Sequence, residues 1–179
     1  MQEQKTYSFF ANQFSNTICE LTQNKLYSHI VFLCIGTDRI TGDSFGPLVG
    51  YKLKNVLNHI KKIQVIGDLD ETVSNQNILN AINYIEKNYK NPFIVSIDSA
   101  LSIRRNVGDI IVSKKGVYLG TSIRNKKVYI GDMSIQGVVA KNTCVAQYNF
   151  RRLQNTNLGL VMKMADTVAS GIISSIEFN

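Results

Sequence analysis

Apolar residues along the chain switch between two periods. Tyr7, Phe10, Phe14, Ile18 and Leu21 recur three or four residues apart, which predicts an amphipathic helix over 7–22. IVFLCI (30–35) is short, continuous and rich in β-branched residues, as a strand covered on both faces of a parallel sheet reads. Phe45, Val49, Leu53, Val56 and Ile60 mark one face of a second helix. IQVIG (63–67) reads as a strand, and Ile78, Ile82, Ile85 and Tyr89 mark a third helix. FIVSI (93–97) is a third buried strand. From 109 to 140 the pattern is strand-like in DIIVS, GVYLG and KVYIGDMSI. Val161, Met164, Val168, Ile172 and Ile176 then predict one long helix from about 155 to 176.

Strand and helix alternate through the first hundred residues. That order predicts an α/β fold, with right-handed crossovers and a mainly parallel central sheet covered on both sides. The β-rich segment either extends the sheet edge or forms a hairpin, and the last helix closes one face. Residues 1–28 form an N-terminal amphipathic arm and residues 29–179 a single α/β/α domain. The arm either packs in cis, the preferred reading, or joins a homodimer interface.

This topology brings the acidic residues together. In open α/β sheets, ligands sit beyond the carboxyl ends of the strands. Asp38 and Asp43 follow the first strand in GTDRITGDSFGP (36–47), Asp68 and Asp70 follow the second in GDLDE, and Asp98 follows the third in SIDSA. Asp43-Ser44, with Pro47 in the first turn, also suits a helix cap, since a side-chain oxygen there accepts backbone N–H groups. Asp98 ends a strand expected to be deeply buried, and an acid there needs partners. Asp68, Asp70 and Glu71 read as a solvated turn. Two converging carboxylates can share a proton as acid and base, bind a divalent cation with a further ligand, or hydrogen-bond a ligand without chemistry. Gly36, Gly42 and Gly46 would let a bound molecule approach the backbone. The loop is neither G-x-x-x-x-G-K-[ST] nor G-x-G-x-x-G, so a nucleotide site by motif is not supported. No histidine lies where it would partner Ser44 or Ser99, which argues against a serine nucleophile.

Composition adds constraints. A chain of 179 residues with 44% hydrophobic and 18% charged residues is one globular domain rather than a disordered one. The uninterrupted apolar runs of six or seven residues are too short to span a bilayer, and MQEQKTYSFF lacks the basic and apolar regions of a secretory signal. A cytoplasmic protein with no membrane partner is the expectation. Cys19, Cys34 and Cys144 are odd in number and widely spaced, so neither a disulfide nor a zinc site is expected; Cys34 reads as a small buried hydrophobe. His29 and His59 read as surface or capping residues. Residues 1–100 hold nine basic and nine acidic side chains, residues 101–179 eleven and four, so the whole excess of +7 lies in the second part. SKKG, SIRNKK and FRR carry much of it. Such a face attracts an acidic peptide, a phosphate or nucleic acid, or is simply a set of solvated loops. Without an arginine-rich helix or an aromatic ladder, nucleic acid is an unlikely partner.

CIGTDRITGDSFGPLVG (34–50), SIDSAL (96–101), VGDIIVSKKGV (107–117), IGDMSIQGVV (130–139) and LQNTNLGLVMKMAD (153–166) together resemble the YyaC family of sporulation proteins of endospore-forming bacteria, from about residue 29 to 176. That family is more distantly similar to the spore germination endopeptidase and to the hydrogenase maturation endopeptidases. The resemblance implies a three-layer α/β/α sandwich of phosphorylase/hydrolase-like architecture. It also implies a protease-like cleft in which Asp43 (GDSFGP) and Asp98 (SIDS) match essential aspartates. The maturation enzymes bind nickel through two acids and a later histidine; Asp43 and Asp98 match the acids, but no histidine follows His59. Nickel is therefore not expected and no cofactor is assigned, while another metal held by carboxylates and water stays open.

Two functions follow. The first is a sporulation-associated, peptidase-like hydrolase with Asp43 and Asp98 as the catalytic pair. Gly36, Thr37, Asp38, Arg39, Gly42 and Ser44 would form the binding loop, and the substrate would be a peptide or protein of acidic character. The second is a non-catalytic binding or assembly protein of the spore programme that retains the cleft. A phosphate or nucleotide binder using the glycine loop with Arg39, Arg104 and Arg105 is a weaker third.

Overall fold

The computed structural model describes residues 2–123 and 126–177. Five strands, β1 (Ile30–Cys34), β2 (Ile63–Ile66), β3 (Phe93–Ser102), β4 (Ile110–Ser113) and β7 (Met133–Lys141), form one sheet in the order β2-β1-β3-β7-β4. Every neighbouring pair is parallel except β4 with β7. Strands β5 (Val117–Ile123) and β6 (Lys126–Ile130) form a separate antiparallel hairpin. The helices are α1 (Gln2–Thr22), α2 (Phe45–Leu57), α3 (Ile78–Asn88), α4 (Ala146–Gln154) and α5 (Leu158–Glu177). The Arg124-Asn125 part of the SIRNKK charge run lies outside the described residues.

Alternation along the central strands divides the core in two. Phe32 and Cys34 of β1 point into a large cluster with Phe45, Val49 and Leu53 of α2 and Val161, Val168 and Ile172 of α5. Val31 and Leu33 point the other way, to Ile78 and Ile85 of α3. This two-residue period accounts for the unbroken apolar run of IVFLC, since both faces of the strand are covered. Burial pushes the Cys34 thiol pKa up, so it stays protonated and inert.

Helix α1 belongs to the first cluster. Phe10 and Phe14 are almost wholly buried, and the Phe14 ring lies 6.1 Å from Phe10 and 6.5 Å from Phe32. Gly171 of α5 permits this closeness, because a Cβ there would stand 2.5 Å from the Phe10 ring. Tyr7 and Ser174 hydrogen-bond across the same interface. Helix α5 is long and apolar enough to cross a membrane by length and composition, yet Val161, Val168 and Ile172 are fully buried in this core.

Three elements differ from the sequence reading. The segment KVYIGDMSI is two strands, and its second part is internal rather than at an edge. β7 lies between β3 and β4, with Met133, Ile135, Val138 and Val139 buried. A strand covered on both faces gains most in the sheet interior. The expected C-terminal helix is α5, and a further helix that the pattern does not predict, α4, precedes it. Helix α4 buries none of its residues, so no apolar face announced it. Finally, Asp70 and Glu71 are exposed in GDLDE, but Asp68 is not part of a solvated turn. Asp68 is 2% exposed, pairs with Lys54 and accepts the backbone N–H groups of Asp70 and Glu71. Burial alone would raise its pKa, but Lys54 and those N–H groups outweigh it and hold the carboxyl below its usual range.

Candidate active site

The site arises where β1 stops and β3 continues. Cys34, the last residue of β1, sits opposite Ile97 of β3, and the Ile35 N–H still donates to the Ile97 carbonyl at 2.7 Å. Beyond that point the chain leaves the sheet, and β3 keeps only its β7 neighbour, pairing Asp98 with Gln136. The chain passes to β2 on one side of β1 and to β3 on the other, so the notch is the topological switch point of the sheet. β3 also shifts register against β7 between Ala100 and Leu101, a bulge of the kind that re-aims side chains beside sites.

Gly36 makes the turn out of β1. Its φ is +143°, and its N–H donates to the Val73 carbonyl at 2.8 Å. A Cβ there would stand 2.0 Å from the Asp43 carbonyl oxygen, so only glycine lets the loop fold back this far. The Thr37 N–H then donates to that same carbonyl at 3.0 Å. The loop closes through a 3-10 turn, Thr41–Ser44, which leads directly into α2.

Asp43 and Asp98 line one cleft of about 530 Å³, walled by Ser74 and Asn75 after β2, Ser99, Tyr118 of the hairpin, Gln136 of β7, and Asn142. Leu153 of α4 closes it beside the Asp43 turn. Ser99 bridges the two acids. Its backbone N–H donates to Asp98 Oδ1 at 2.7 Å and its hydroxyl donates to Asp43 Oδ1 at 3.2 Å. Burial raises the Asp43 pKa and the Ser99 hydroxyl draws it partly back. Burial first, then the negative charge of Asp43, push the Asp98 carboxyl up to about 8 against the opposing Ser99 N–H. Of the pair, Asp98 is the stronger holder of a proton.

Of the residues expected at the site, the structure brings Gly36, Asp43 and Asp98 to the cleft. Thr37 acts through its backbone. Asp38 and Arg39 are exposed, and Asp38 accepts only a 3.4 Å hydrogen bond from the Thr37 hydroxyl. Gly42 is buried against Leu153 and Thr156, and the Ser44 hydroxyl turns back to the Thr41 carbonyl at 2.7 Å. Asp43 does not cap α2: neither that helix nor the 3-10 turn has a side-chain cap. The 3-10 turn satisfies the entry with its own backbone, which leaves the carboxylate for the cleft. Gln136 escaped the sequence reading, and Ser99 entered it only as a rejected nucleophile. The polar Gln136 within the otherwise apolar SIQGVV was the available signal.

A larger groove of about 900 Å³ opens at the other end of the sheet, among Phe14, Ile18, Tyr27, Ile30, Phe93 and Ile176. Its walls carry no acid, so size alone does not mark the site.

The family model described as "Protein of unknown function (DUF1256)" matches residues 2–171. "Uncharacterized protein YyaC" of Bacillus subtilis (strain 168) is 38% identical over 143 residues, covering 80% of this chain and 67% of the relative. Among solved structures, the NiFe hydrogenase maturation protease HycI from Thermococcus kodakarensis KOD1 aligns over 84% of this chain and 94% of its own, with a TM-score of 0.56 and 16% identity. The fold is therefore that of the hydrogenase maturation proteases, an α/β arrangement with a mainly parallel sheet between helices.

Proposed function

The chain belongs to the DUF1256 family, and from that premise we propose that it is a sporulation-associated, peptidase-like hydrolase that uses Asp43 and Asp98 on a peptide or protein substrate. The observation that carries this reading is the shared cleft of two half-buried carboxyls bridged by Ser99, with Asp43 accepting no cap hydrogen bond. The protease-like fold and the quoted sporulation-family motifs support it, and they favour the cytoplasm of a sporulating cell.

In this mechanism Asp43, ionised, takes a proton from a water molecule as its oxygen attacks the peptide carbonyl carbon. Asp98 gives its proton to the carbonyl oxygen, so the tetrahedral intermediate is neutral. On collapse, Asp43 passes its proton to the departing amine and Asp98 recovers one from a hydroxyl of the intermediate. The C–N bond breaks and both acids return to their starting states.

A nickel centre does not fit the donors present. Among the described residues no three His, Cys, Asp or Glu side chains converge. His29 directly precedes β1 and His59 lies between α2 and β2, so both stand at the sheet end opposite the acids.

The test is incubation of the protein with a proteome-derived peptide library, followed by mass spectrometry of new termini. Wild type is expected to generate termini that neither Asp43→Asn nor Asp98→Asn generates. Identical termini from all three would remove the aspartates from the chemistry. None from wild type would leave a binding protein.

A further inference from the structure

A second, smaller pocket adjoins the aspartate cleft. It has a volume of about 400 Å³ and is formed by Thr143, Tyr148, Arg151, Arg152 and Asn155. The two cavities share a wall: Asn142 and Leu153 face the cleft, while their chain neighbours Thr143 and Arg152 face the pocket.

The wall is built rather than loose. The Asn149 carboxamide accepts the Thr143 N–H and hydroxyl through Oδ1, both at 2.8 Å, and donates through Nδ2 to Asn142 Oδ1 and the Thr143 carbonyl. This ties the turn after β7 to α4. Arg152 Nη1 donates to the Lys141 carbonyl at 3.1 Å, and Lys141 Nζ donates to the Arg105 carbonyl at 2.8 Å. The end of β7 and helix α4 thus bring Lys141, Arg151 and Arg152 to one side of the cleft. Among the described residues the ion pairs are Lys52–Asp166, Lys54–Asp68 and Lys114–Glu20. None of these ion pairs neutralises Lys141, Arg151 or Arg152.

Unpaired guanidiniums beside hydroxyl and carboxamide groups suit a planar carboxylate, which accepts several charge-assisted hydrogen bonds at once. We propose that the Arg151/Arg152 pocket is a substrate subsite, receiving the carboxylate of a Glu or Asp side chain a few residues from the bond held between Asp43 and Asp98. The inference rests on the peptidase reading and adds its specificity: an acidic peptide. It also gives a use to the +7 excess of the second half. A peptide is favoured over nucleic acid because the pocket is small, lies against a peptide-sized cleft and offers one aromatic ring.

The test is fluorescence anisotropy with two pools of labelled random decapeptides, half of whose positions are Glu in one pool and Gln in the other. Both are titrated with Asp98→Asn protein, with and without R151Q/R152Q; both arginines are exposed, and an unchanged melting temperature checks folding. The Glu pool is expected to bind at least tenfold more tightly, with the difference abolished by R151Q/R152Q and weakened by salt. Equal binding of the two pools overturns the proposal, as does a preference that survives the double substitution. Arginine-dependent binding of a random 12-mer RNA, tighter than that of the Glu pool, overturns it in favour of nucleic acid. Arginine-dependent binding of acidic peptides that wild type never cleaves keeps the subsite and sinks the peptidase reading alone.

Discussion

The Ser99 hydroxyl donates to Asp43 Oδ1 across 3.2 Å, joining strand β3 to the turn that leads into α2. This bond lowers the Asp43 pKa against the effect of burial. Replacing Ser99 with Ala should let that pKa rise, moving the acidic limb of the pH–rate profile to higher pH. A net hydrogen bond of about 0.5–1.5 kcal/mol corresponds to a rate loss of up to ~10-fold. A profile of unchanged shape would show that Ser99 does not tune the pair.

Asp98 makes stability depend on pH in the direction opposite to most carboxylates. An unfolded Asp titrates near ~3.9, and the folded one is pushed up to about 8. Between these values the folded protein holds a proton that the unfolded chain has lost. Stability is therefore fully present below the unfolded pKa and declines as pH rises through the window, by at most ~1.4 kcal/mol per unit and by less at a half-buried site. Asp98→Asn should melt with wild type near pH 4 and above it at pH 9, measured by thermal scans in matched buffers. A variant less stable than wild type at pH 9 contradicts this assignment.

Gly36→Ala tests the turn rather than the acids. With φ at +143° and the Asp43 carbonyl 2.0 Å from the new Cβ, the backbone must move. We expect a loss of about 1–3 kcal/mol in urea unfolding, together with peptide cleavage reduced toward that of Asp43→Asn. Retention of both would show that the loop can rebuild around a side chain.

Phe14→Ala tests whether α1 is part of the core. Phe14 is 1% exposed, and truncating a buried phenylalanine costs about 3–5 kcal/mol. The urea midpoint should fall accordingly in a single cooperative transition. A loss below ~1 kcal/mol would mean that the arm is only draped on the body.

Where one face of an element is apolar and local, the sequence already shows it. Phe45, Val49 and Leu53 declare α2, Val161, Val168 and Ile172 declare α5, and IVFLC declares a doubly covered strand. The position of β7 was hidden because strand order is a property of distant partners: nothing in MSIQGVVAK names β3 and β4 as its neighbours. Helix α4 was hidden because none of its side chains is buried. The burial of Asp68 depends on a lysine fourteen residues earlier reaching over it. Asp43 and Asp98 stand out as acids placed where strands end. The part of Ser99 depends on β1 stopping one residue before Asp98, which only the register reveals.

The insertion of β7 between β3 and β4 has a consequence for how the protein is made. A nascent chain ending after β4 has made three adjoining parallel strands, but the right-hand edge of β3 is bare and the slot beside it is empty. That edge exposes the unpaired groups on which other chains can add. The ribosome must deliver a further hairpin before residues 133–141 fill the slot, so the gap persists through about twenty residues of synthesis. Gln136 takes its place opposite Asp98 only at that late step. Fragments truncated before residue 133 should therefore aggregate through β3 and carry one wall of the cleft too few to act.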